Sequence, residues 1–73
     1  MSKLPGISGR DCLKALAKAV FEFRRQEGSH MILRRVNPFG QVVVPDHKEL
    51  DRRTLRSIIR SAGLSVEEFL RLL

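Results

Sequence analysis

The sequence predicts an α+β domain with the order α-β-β-β-α. Its three-stranded antiparallel sheet carries helices on one face, and a short helix closes the chain. Three observations predict it. Apolar residues recur at helical spacing near both ends, in residues 13–20 and 55–62. Between them, from Phe21 to Pro45, the period drops to two, the period of a strand with one buried face. Two turn signals, Glu27-Gly28-Ser29 and Asn37-Pro38-Phe39-Gly40, divide that region. They are too short for a crossover, so the strands must run antiparallel.

Residues 1–7 form a short lead containing Pro5 and Gly6. Ser8 is a good N-cap, and Asp11 three residues later makes a variant capping box. Leu13, Leu16, Ala17 and Val20 then form the expected apolar face, with Arg10, Lys14 and Lys18 as a basic stripe. In the first strand Phe21, Phe23 and Arg25 should point one way, and Glu22, Arg24 and Gln26 the other. The second strand runs from His30 to Val36 and the third from Gln41 to Pro45. In the turn between them Pro fixes φ and Gly is free to take positive φ. Asp51 caps the second long helix, whose buried face is Leu55, Ile58, Ile59 and Ala62, and Gly63 stops it. Ser65 with Glu68 forms a capping box for a last helix with Val66, Phe69, Leu70 and Leu73 on one face. The double-stranded-RNA-binding domain has this layout, but fold alone does not give function.

The 73 residues are read as a single domain, 1–73, with a small core. Fourteen Lys and Arg against eight Asp and Glu leave a net charge of +6. Such a balance favours a polyanionic partner, nucleic acid before membrane. Cys12 is the only cysteine, which excludes an internal disulfide. The first residues lack an apolar signal core, and no run reaches membrane-spanning length. A cytoplasmic protein is expected. With no Trp or Tyr, and with Phe21, Phe23 and Phe69 expected in the core, base stacking is poorly served; Phe39 alone is expected at the surface.

The candidate chemistry centres on Gly28-Ser29-His30. A histidine that opens a strand after a glycine turn can face solvent and exchange a proton near neutrality. If the loop is residues 37–40, Val36 pairs with Gln41, Leu33 faces Val44, and His30 faces His47. Met31, Leu33, Val42 and Val44 then face the core, while His30, Ile32, Arg34, Val43 and His47 leave it together. Two imidazoles at one phosphate could serve as base and acid in RNA cleavage. The ribose 2′-hydroxyl is an internal nucleophile, so positioning supplies much of the rest. Arg24, Arg25 and Arg34 are near enough in sequence to steady the phosphorane charge. A second basic group, Lys48, Arg53 and Arg56, gathers at the start of the second long helix, where amides and arginines together suit phosphate. A metal centre would need His30, His47 and perhaps Asp46 or Cys12, and no pair has zinc-finger spacing. No metal and no cofactor are expected.

The chain closely resembles the HicA toxins of bacterial HicA–HicB toxin–antitoxin pairs. The likeness runs through Leu4-Pro5 and Ser8-Gly9, then Arg25-Gln26-x-Gly28-Ser29-His30. It continues through Val44-Pro45-x-His47 and Thr54-Leu55-Arg56-x-Ile58-Ile59-x-x-Ala62-Gly63-Leu64. The resemblance implies a double-stranded-RNA-binding-like fold and a ribonuclease that cuts mRNA without metal, blocking translation and growth. It implies a HicB-type antitoxin that covers the site in a hetero-oligomer; the free toxin is expected to be a monomer. It puts the catalytic histidine at His30 and the functional glycine at Gly28. The same family often has Gly where this chain has Val20, and Gly where it has Arg53. The rival reading is a non-catalytic module that binds double-stranded RNA; a third is a domain that binds a protein partner and no RNA.

Overall fold

The computed structural model describes residues 3–73. Met1 and Ser2, which open the expected lead, lie outside the described residues. The elements are α1 (Gly9–Lys18), β1 (Glu22–Glu27), β2 (His30–Arg35), β3 (Gly40–Pro45), α2 (Arg52–Ser61) and α3 (Val66–Leu72). The strands form one antiparallel sheet in the order β1-β2-β3. The expected α+β architecture is the one observed.

The helix ends follow the caps that the sequence supplies. The Ser8 hydroxyl accepts from the Asp11 amide, and the Asp51 carboxylate accepts from the amides of Arg53 and Thr54. Ser65 and Glu68 form a reciprocal capping box. These contacts satisfy amides that have no partner inside a helix. Gly63, at φ +76, takes the left-handed turn that ends α2. The lead is tied down too: Leu4 is buried, its carbonyl accepts from the Arg52 guanidinium, and the Ile7 carbonyl accepts from the Leu50 amide.

Met31, Leu33, Val42 and Val44 join Leu55, Ile58, Ile59 and Phe69 in one core beneath the helices. Phe23, expected there, is 50 % exposed. It stands on β1, an edge strand whose six residues are all exposed. A bulge at Arg24 makes a second departure. Phe23 still pairs with Leu33, but Arg25 pairs with Ile32 and Gln26 with Met31. The extra residue reverses the alternation beyond it, so Arg25 lies on the face opposite the core. On that open face Ile32 was expected to be wet, yet it is buried. It occupies the central strand, with Arg25 and Val43 as its cross-strand neighbours.

The apolar face of α1 differs at Ala17 and Val20. Cys12, Ala15 and Leu16 are buried, Leu13 and Ala19 are half-buried, and Ala17 is exposed. Val20 lies past the helix end, exposed, with φ +70. Burial pushes the Cys12 thiol up to about 12. In α3, Leu72 packs against the core and Leu73 is exposed.

The register between β2 and β3 is shifted by two residues from the expected one. Arg35 pairs with Gly40, Leu33 with Val42, Met31 with Val44, and His30 with Pro45. The turn therefore occupies residues 36–39, and Gly40 joins the strand. Arg35 accounts for the early turn. Its guanidinium donates to the carbonyls of Pro38, Ala19 and Ala62 and lies 4.5 Å from the centre of the Phe21 ring. A two-residue shift preserves which face each side chain takes, so the core set is as expected while the histidine pairing is not. Among the described residues no helix is long and apolar enough to cross a membrane.

Candidate active site

Glu27 pairs with His30, which leaves Gly28 and Ser29 as a two-residue hairpin turn. Gly28 has φ +59, and Ser29 is not in the positive region. This is the pattern in which the first turn residue must be glycine and the strand twist is matched. A Cβ on Gly28 would meet nothing within 4 Å. Ser29 and His30 are exposed. The His30 ring is therefore at the surface, beside a turn whose backbone a ligand can approach.

His47 does not face His30 across the sheet, because Pro45 takes that place. The correction follows from the shifted register. His47 nevertheless belongs to the same end of the sheet. The Asp46 amide donates to the Ser29 carbonyl at 2.7 Å, and the His47 carbonyl accepts from the Gly9 amide at 2.9 Å. The His47 side chain is exposed.

Asp46 between them is the best-connected polar residue of this end. Its carboxylate accepts from Arg10 Nε and Nη2, each at 3.1 Å, and from Gln26 Nε2 at 3.2 Å. Gln26 Nε2 also donates to the Gly28 carbonyl at 3.1 Å. The hydrogen bonds from Arg10, then from Gln26, hold the Asp46 carboxyl below the usual carboxylate range. Sequence reasoning missed this group. In the sequence Arg10 reads as part of a basic stripe and Asp46 only as a possible metal ligand, and Gln26 lies beyond the bulge that reverses the alternation of β1.

The basic residues divide into two sets. Around the hairpin, Arg25 pairs with Glu27, Arg24 lies 3.8 Å from Glu22, and Arg34 donates twice to the Gln41 side chain. On α2, an open cleft of about 790 Å³ is lined by Asp51, Arg53, Arg56, Ser57 and Arg60. No hairpin residue lines it. The capping carboxylate of Asp51 takes the Arg53 and Thr54 amides, so the cleft presents guanidiniums and not those helix amides. Lys48, between the two sets in sequence, is exposed.

Cys12 is fully buried in the core, away from the exposed histidines, so the metal set that included it is not assembled. Among the described residues no three or more His, Cys, Asp or Glu side chains gather as a metal site. The arrangement offers an exposed imidazole, an approachable backbone turn and two groups of guanidiniums.

A family model described as HicA toxin of bacterial toxin–antitoxin matches residues 9–64, from the first residue of α1 to the residue before the cap of α3. No curated protein matches the chain.

Proposed function

This chain belongs to the HicA toxins of bacterial toxin–antitoxin systems, and we propose that it acts there as an endoribonuclease that cuts mRNA through His30, needs no metal ion for the step, and is silenced by a HicB-type antitoxin. The observation that carries the reading is the placement of His30. It is exposed, it opens β2, and it adjoins a turn with empty space over Gly28.

In the proposed reaction an imidazole accepts the proton of a ribose 2′-hydroxyl. The 2′-oxygen attacks the adjacent phosphorus, and the bond to the 5′-oxygen breaks. A proton delivered to that oxygen completes the step, leaving a 2′,3′-cyclic phosphate and a free 5′-hydroxyl. His30 is one of the two proton carriers, and a well-placed group of this kind contributes about 10²–10⁴-fold. His47, at the same end of the sheet, is the candidate for the other. Gly28 and Ser29 present backbone to the substrate. Arg24, Arg25 and Arg34 on the hairpin side, and Lys48, Arg53 and Arg56 on the α2 side, hold phosphates. The residues act as one domain, a monomer when free and part of a hetero-oligomer with the antitoxin, in the cytoplasm. An acidic antitoxin surface would be steered to the same cations.

Purified protein incubated with a long mRNA tests the reading. Cleavage is expected to persist in EDTA, to fail on a 2′-O-methyl copy of the RNA, and to vanish with His30→Ala while binding remains. The layout shared with double-stranded-RNA-binding domains supports the rival, a module that binds without cutting. It predicts retention of RNA, no new ends, and indifference to His30→Ala.

A further inference from the structure

We propose that Asp46, held by Arg10 and Gln26, is a positioning residue that fixes the Gly28–Ser29 turn and thereby the place of His30. The inference rests on the reading of His30 as a proton carrier.

Beyond the strand pairing of His30 with Glu27 and Pro45, the turn has little to hold it. β1 is an edge strand whose six residues are all exposed, Gly28 has no neighbour where a side chain would be, and Ser29 and His30 are exposed. Packing therefore does not locate the hairpin tip. Polar contacts do. Both turn carbonyls are taken: that of Gly28 by the Gln26 side chain, that of Ser29 by the Asp46 amide. The same Gln26 amide group donates to Asp46 Oδ2, and Arg10 grips both carboxylate oxygens, Nε on Oδ1 and Nη2 on Oδ2. A two-pronged guanidinium–carboxylate contact sets orientation as well as distance. Arg10 stands one residue from Gly9, whose amide donates to the His47 carbonyl. The turn is thus referred, through Asp46, to the rigid start of α1.

An exposed ion pair by itself adds little to stability, so the role assigned is orientation. Misplacing a catalytic group by about 1 Å can cost on the order of 100-fold in rate. The test compares Asp46→Ala, Gln26→Ala, Arg10→Ala and Arg10→Lys, with cleavage rates of an mRNA expressed per folded molecule from circular dichroism. The expected result is a fall in kcat of roughly 10–100-fold for the three alanine variants, with affinity for the 2′-O-methyl RNA not weakened. Arg10→Lys, which keeps the charge but not the fork, should fall nearly as far. The Arg10→Ala/Asp46→Ala double variant should be no slower than the slower single one, since both act through one contact. Gln26→Ala decides alone if Asp46→Ala does not fold, because it removes only an exposed edge-strand side chain.

Wild-type kcat in Asp46→Ala and Gln26→Ala would overturn the inference. So would a loss of affinity for the 2′-O-methyl RNA that accounts for the whole loss of rate. If His30→Ala is inactive while those variants cut at full rate, this inference fails and the parent reading stands. If His30→Ala cuts at full rate, the parent reading fails.

Discussion

Gly9 and Pro45 meet with no room for a side chain: a Cβ on Gly9 would lie 1.9 Å from the Pro45 carbonyl oxygen. The first turn of α1 is pressed against the end of β3, and the Gly9 amide donates to the His47 carbonyl just beyond. Gly9→Ala must push α1 away from the strand that leads to Asp46 and His47. Overpacking of this kind costs about 1–3 kcal/mol, with backbone on the other side of the clash favouring the upper end. Denaturant unfolding should show the loss, and RNA cleavage per folded molecule should fall with it.

Val20 should gain from becoming glycine. It holds φ +70, and the residue is 69 % exposed. A β-branched residue gains nothing there to offset the left-handed backbone, which costs about 1–2 kcal/mol. Glycine removes that cost and loses part of the gain through its freer unfolded chain. Val20→Gly should stabilise the protein by about 1 kcal/mol, read as a higher Tm and denaturation midpoint.

Cys12 sets an alkaline limit. Its thiol ordinarily ionises near 9, and burial raises it to about 12. The unfolded chain therefore releases this proton first as the pH rises. Cys12 contributes its stability in full below about pH 9, and that contribution declines between about 9 and 12 at up to roughly 1.4 kcal/mol per pH unit. Cys12→Ala should flatten this limb of the stability curve. In the native protein at neutral pH the thiol should resist a disulfide reagent and react once denaturant is added.

Arg35 should not tolerate lysine. Its guanidinium joins three carbonyls, those of Pro38, Ala19 and Ala62, and covers the Phe21 ring. An ammonium cannot span them in the same plane. Arg35→Lys should destabilise by about 1–3 kcal/mol, since hydrogen bonds from a charged donor are being lost. Chemical shifts at residues 36–39 should move most.

The elements were legible in the sequence because local chemistry and hydrophobic period agree there. Ser8, Asp51 and Ser65 cap where they were expected to, and Met31, Leu33, Val42, Val44, Leu55, Ile58 and Ile59 are buried as their spacing required. His30 was legible as a surface residue because a glycine turn precedes it. What could not be read depends on contacts between distant segments. Arg35 draws the second turn one residue earlier by reaching carbonyls of Ala19 and Ala62, and so removes His47 from the place opposite His30. The bulge at Arg24 leaves no mark in the composition of β1. The face of α1 was ambiguous because Ala15, which is buried, and Ala17, which is exposed, are the same residue. Arg10 and Asp46 are 36 residues apart.

The central claim is that one exposed imidazole at the hairpin tip moves a proton during RNA cleavage. The most direct measurement is primer extension on mRNA from cells making the wild-type protein or His30→Ala at equal, folded levels. Discrete new 5′ ends with the wild type, and none with His30→Ala, are the predicted result. The same ends at the same yield from both proteins would contradict the account.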